Sequence, residues 1–126
     1  MKNEKLKAIS DMEKEKVIEN KSYDFAKRII KVYRYLTEKK EFVLSKQLLK
    51  SGTSIGANVV EGQYSISKKE FRNKMSIALK EAAESRYWIL LLKDEDYLSE
   101  KAAESLLNDL EAIIRILVKI VKNAKQ

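Results

Sequence analysis

Residues 99–123 read SEKAAESLLNDLEAIIRILVKIVKN, and the spacing of their apolar side chains decides the fold class. Ala103, Leu106, Leu110, Ile113, Leu117 and Ile120 recur at alternating steps of three and four residues, the period of one helix face. Leu107, Ile114 and Val121 widen that stripe beyond a two-stranded seam, so the helix is built to face the core of a bundle. Ser99 offers an N-cap hydroxyl. Glu100 and Glu104 near the start, and Lys119 and Lys122 near the end, complement the helix dipole. The pattern predicts a helix from Ser99 to about Asn123.

Working outward, the short link Lys93–Leu98 precedes this helix, and short links join antiparallel neighbours. Before it, Ser67-Lys68-Lys69-Glu70 forms a capping box that opens a helix ending near Lys93. Phe71, Met75, Ala78, Ala82, Ile89 and Leu92 share its apolar face. A further helix is predicted over Phe42–Glu61. Its second half, from Ser51 to Gly62, is rich in Gly, Ser, Thr, Asn and Val and poor in helix propensity. Leu44, Leu48, Ile55 and Val59 nevertheless keep the helical period through it. Such a conflict between local preference and global pattern marks a tightly packed or functional segment. The first helix is predicted to start at an N-cap, Ser22, and to end near Lys39, with Phe25, Ile29, Val32 and Leu36 as its stripe. Residues 1–20 read as a polar N-terminal extension in which Ser10–Glu13 could open a short helix. The expected architecture is all-α: an antiparallel up-and-down four-helix bundle over residues 21–126.

Composition supports a helical reading and excludes several functions. The 126 residues contain no proline and only three glycines, and 36% of them are charged. Cysteine and histidine are absent, which removes zinc sites, thiol nucleophiles and Ser-His-Asp triads. The longest apolar run, Trp88–Leu92, is far short of the roughly 20 residues a membrane span needs. The N-terminus lacks the apolar core of a signal peptide. A cytoplasmic protein that does not engage membranes is expected.

The formal net charge is +7, and residues 22–40 carry six basic against two acidic side chains. Lys27, Lys31 and Arg34 fall on one side of the first helix with Arg28 adjacent. Arg115, Lys119 and Lys122 form a second stripe on the outer face of the last helix. Repeated in an oligomer, these stripes would make a continuous positive surface able to displace counterions from a nucleic acid. The alternative is a solvated lysine-rich surface. No aromatic residues are read as interleaved with the stripes, so a single-strand stacking platform is not expected.

On a helical wheel Gln47, Ser51, Ser54, Asn58 and Glu61 form a polar strip on the second helix, and Lys74, Glu81, Glu84 and Trp88 line a flank of the third. The two strips are expected to meet as a hydrogen-bonded seam that fixes register, or alternatively as a pocket or subunit contact. Gly52 and Gly56 form a small-xxx-small pair suited to close helix or subunit packing. Glu61, Glu81 and Glu84 allow a di-metal reading, but the Glu-x-x-His pairs such sites use are missing. No metal and no cofactor are expected. With no nucleophile, phosphate cradle or oxyanion hole alongside, neither is enzymatic activity.

The stretch Leu44–Glu61, with its core Ser51-Gly52-Thr53-Ser54-Ile55-Gly56-Ala57-Asn58-Val59-Val60-Glu61, resembles the hallmark of the four helix bundle protein family, encoded by intervening sequences in bacterial 23S ribosomal RNA genes. The resemblance continues through Phe71, Lys74, Ile77–Ala82, Glu84 and Tyr87-Trp88, and spans residues 18 to 124. It implies an up-down bundle assembling as a ring-like homopentamer, without established enzymatic activity. A similar fold occurs in a retroelement accessory protein that works with nucleic acid and a reverse transcriptase. Three readings follow: a homo-oligomer binding RNA or DNA, alone or beside a nucleic-acid-processing protein; an interaction scaffold; and a small-ligand or metal pocket at Glu61, Glu81 and Glu84.

Overall fold

A computed structural model describes residues 2–124. They form four helices, α1 (Lys2–Glu38), α2 (Leu44–Gln63), α3 (Lys68–Asp94) and α4 (Glu100–Ala124), with no strand among the described residues. Each helix packs on its two neighbours, α1 on α2 and α4, and α3 on α2 and α4, which is the square of an up-and-down bundle. Phe25, Ile29, Ile55, Met75, Ile89 and Leu110 are among the fully buried side chains at its centre. No described helix is long and apolar enough to cross a membrane.

The helix ends follow local chemistry. Ser67 caps α3 by accepting the Glu70 N–H (3.1 Å), and Ser99 caps α4 by accepting the Ala102 N–H (3.1 Å). At α2 the cap is different. Glu41, almost wholly buried, accepts the N–H groups of Val43, Leu44 and Ser45. Burial works against its charge, but these backbone donors and the Ser45 hydroxyl hold the carboxyl below the usual carboxylate range. The helix consequently starts at Leu44, two residues later than the apolar pattern suggests. α1 and α3 both end in Schellman turns. Glu41 N–H donates to Leu36 and Lys40 N–H to Thr37, and Tyr97 N–H donates to Leu92 and Asp96 N–H to Lys93. Lys40 and Asp96 occupy the left-handed position at φ 65° that usually falls to glycine.

The largest departure from the sequence reading is α1. It runs unbroken from Lys2 for 37 residues, about 55 Å at 1.5 Å per residue. Ser22 is no N-cap: it is buried inside the helix and its hydroxyl donates to the Glu19 carbonyl (3.1 Å). The boundary drawn between residues 20 and 21 falls within this helix, and Ile18, before it, is fully buried. Gln63 Nε2 donates to the Glu15 carbonyl (3.0 Å), tying the end of α2 to the same turn. The residues before Ile18 are mostly Lys, Glu, Ala and other good helix formers, so the docked segment propagates backward without a new nucleus.

The helix-poor half of α2 is held by tertiary packing. A Cβ at Gly52 would stand 2.9 Å from Ile29 Cγ1, so α1 leaves no room for a side chain there. One at Gly62 would stand 3.0 Å from Met75 Cε, so a side chain there would require the Met75 tip to shift. Thr53 and Ser54 return their hydroxyls to the Leu49 and Lys50 carbonyls, leaving neither competing for the helix donors.

Candidate nucleic-acid interface

The α1 stripe is on the solvent face: Lys27, Lys31 and Arg34 are all exposed. Among the described residues Lys31 and Arg34 have no carboxylate within ion-pair distance, whereas Lys27 Nζ lies 3.3 Å from Asp24. Both members of that pair are largely solvated, so it is weak and easily exchanged. Arg28 plays another part. It turns toward α4, where it pairs with Asp109 and donates to the Ser105 hydroxyl (2.9 Å) and carbonyl (3.3 Å). It is a clamp between helices rather than a free cation of the stripe.

Arg115, Lys119 and Lys122 are exposed on α4, as their spacing suggests. The Arg28–Asp109 clamp sets where they sit relative to α1. Beyond Asp109 the chain runs toward the N-terminal end of α1, so Arg115 and Lys122 lie about 9 Å and about 20 Å along the axis from the clamp. Lys31 and Arg34 lie on its other side. Within one chain the two stripes are therefore separate patches, with a neutralised pair between them.

Two exposed aromatic residues bracket the α1 stripe, Tyr23 before Lys27 and Tyr35 after Arg34. Tyr23 is 64% and Tyr35 46% exposed. Lys27 Nζ sits 4.9 Å from the Tyr23 ring centroid, and Lys39 Nζ 5.6 Å from that of Tyr35. Both contacts join residues four apart, a spacing that brings side chains together on a helix surface.

The polar strips of α2 and α3 meet at two points. The Ser85 hydroxyl donates to Ser51 Oγ at 2.9 Å in the buried interface, with the Glu81 carbonyl at the same distance. Further along, Lys74 Nζ lies 3.0 Å from Glu61. Ser85, which the sequence reading missed, is thus the buried partner of Ser51. It stands seven residues after Ala78 and three after Ala82, on their small-residue face. The other members stay within their own helices. Ser54 donates to the Lys50 carbonyl and Asn58 Nδ2 to the Ser54 carbonyl, while Gln47 is exposed. Trp88 is half-buried with its indole N–H unpartnered, and its ring meets Tyr87 edge-on at 5.2 Å.

Burial raises the Glu81 carboxyl above the usual carboxylate range, helped by the charge and hydrogen bond of Glu84 and opposed by Lys50. Glu61 is engaged by Lys74 instead, and among the described residues no group of acidic side chains could hold a metal ion. Gly52 and Gly56 face α1 of the same chain: the nearest groups to an added Cβ are Ile29 and Ser22, respectively.

No curated protein matches the chain. A solved structure from Bacteroides thetaiotaomicron VPI-5482, a protein with unknown function from the S23 ribosomal protein family, is similar at 47% sequence identity and a TM-score of 0.85. The similarity covers 86% of this chain and 98% of that one. The model of the 23S rRNA-intervening sequence protein family matches residues 14–119. With the four-helix architecture and the Ser51–Glu61 segment in place, that match across most of its length makes the chain a member of the 23S rRNA-intervening sequence protein family.

Proposed function

We propose that the chain is a non-enzymatic, cytoplasmic, homo-oligomeric bundle that binds RNA or DNA through its outer surface, as an accessory or structural protein. The observation that carries this reading is the outward stripe of Lys27, Lys31 and Arg34, only the first of which has a carboxylate partner among the described residues. Cations spaced along an exposed helix face exchange their hydration and counterions for phosphates at low cost. In a ring of copies, which the family resemblance implies, the separate α1 and α4 patches would recur around the assembly. Fluorescence-anisotropy titration against single-stranded DNA, duplex DNA and structured RNA tests the reading. Affinity is expected to fall steeply with salt and to weaken in K27E/K31E/R34E. Binding that ignores salt, or full binding by that variant, contradicts it.

A second reading, an interaction scaffold, draws on apolar side chains at the ends of the bundle. Phe42 and Val43 protrude from the α1–α2 link, and Tyr64 and Ile66 from the α2–α3 link. On this reading the chain binds no nucleic acid, and a partner seated at either end would be released by F42D or by I66D.

A further inference from the structure

We infer that the α1 face is a stacking platform for single-stranded nucleic acid, in which Tyr23 and Tyr35 take unpaired bases and the cations between them take the phosphates. This deepens, and rests on, the proposed nucleic-acid reading.

Exposed tyrosines are common in this chain, and what sets Tyr23 and Tyr35 apart is the ammonium over each ring. Tyrosine commonly keeps its ring against apolar neighbours and gives its hydroxyl a partner. Here Tyr23 is mostly and Tyr35 about half exposed. The other exposed tyrosines, Tyr64, Tyr87 and Tyr97, have no lysine over the ring. The Tyr-x-x-x-Lys arrangement occurs within α1 as Tyr23 with Lys27, and across its C-terminal end as Tyr35 with Lys39. In each, the ammonium sits over the ring of a tyrosine that is itself exposed.

The spacing fits a strand that crosses the helix obliquely. The two rings are twelve residues apart, which is about 18 Å of rise and about a third of a turn beyond three full turns. Lys31 and Arg34 lie between them in sequence and on the same exposed face. The face also carries Asp24 and Glu38, which offset part of the attraction its cations give to phosphates. Stacking supplies what the charge does not, because every base has a π face. A duplex buries those faces in its own stack and offers only base edges in its grooves. The geometry therefore selects unpaired over paired polymer.

The test uses the full chain and two fluorescein-labelled probes, a mixed-sequence single-stranded DNA without self-complementarity and its duplex, at fixed low salt. Y23A and Y35A are each expected to lose about tenfold in affinity for the single strand. Both should leave duplex affinity unchanged and retain the wild-type salt slope, since no phosphate contact is removed. Y23F and Y35F should bind as wild type. Both positions are solvent-facing, so the helical circular-dichroism spectrum should be preserved in all four variants. If Y23A/Y35A binds the single strand within about twofold of wild type, or loses both probes equally, the platform is overturned while nucleic-acid binding stands. If wild type binds neither probe, the platform falls, and the titration against structured RNA decides the underlying reading.

Discussion

Replacing Gly52 with alanine places a methyl group where α1 leaves no room for one. The new Cβ would lie 2.9 Å from Ile29 Cγ1, 3.0 Å from Cγ2 and 3.3 Å from Cβ. Ile29 is fully buried in the middle of α1, and a β-branched side chain in a helix has one strongly preferred rotamer. It cannot turn away, so the helices must part. Overpacking of this kind costs about 1–3 kcal/mol. Alanine recovers about 1 kcal/mol of helix propensity over glycine. The net expectation is a loss of about 1 kcal/mol. Ile29→Ala removes both Cγ atoms, and on its own costs about 2–5 kcal/mol through the cavity it leaves. In that background only the residue 29 Cβ remains close, at 3.3 Å, a contact that a shift of a few tenths of an ångström relieves. The Gly52→Ala methyl should then stabilise by about 1 kcal/mol. The coupling energy between the two sites is then about 2 kcal/mol.

Urea unfolding followed by the helical circular-dichroism signal measures this directly, at one protein concentration throughout because association would shift the midpoint. With an m-value of about 2 kcal/mol/M, G52A should lower the midpoint by about 0.5 M and raise it by a similar amount in I29A. If G52A raises the midpoint equally in both backgrounds, the close α1–α2 approach is wrong.

Two other expectations concern the helix ends. Glu41→Gln removes the charge that caps α2 and should cost about 1 kcal/mol at neutral pH. Because the folded carboxyl titrates below its unfolded value, this contribution is present above the ordinary carboxylate range and is lost as pH falls through the depressed folded value. Wild type and variant should therefore converge in acid, and thermal melts across pH 2 to 7 check it. Lys40→Gly relieves a left-handed backbone at φ 65°. A gain of about 0.5–1 kcal/mol, seen as a rise in Tm of about 2–4 °C, is expected.

The parts of the fold legible in the sequence are those where one physical signal acts alone. Ser67 and Ser99 each precede an apolar periodic run and do cap the helices that follow. The start of α1 was misread because Ser22 has a capping residue's identity in a buried helix interior. An exposed, charge-rich helix also carries no apolar stripe to announce it. Glu41 escaped notice because its side chain caps a helix that begins three residues later. In the candidate site, exposure of the stripe residues followed from spacing. The diversion of Arg28 did not, since Asp109 is 81 residues away. Tyr23 was legible in principle: it stands four residues before Lys27 on the polar side of the helix. Tyr35 follows the inward-leaning Tyr33 by two residues, which turns it toward solvent.

Nucleic-acid binding by the α1 face is tested most directly by the salt dependence of affinity for single-stranded DNA, wild type beside K27E/K31E/R34E. Each phosphate neutralised on a single strand contributes about −0.7 to the slope of log K against log salt. Wild type should give a steep negative slope, and loss of three contacts per chain should make it shallower by about two. A flat wild-type slope, or an identical slope in the triple variant, would mean that Lys27, Lys31 and Arg34 form a solvated surface and bind no phosphate.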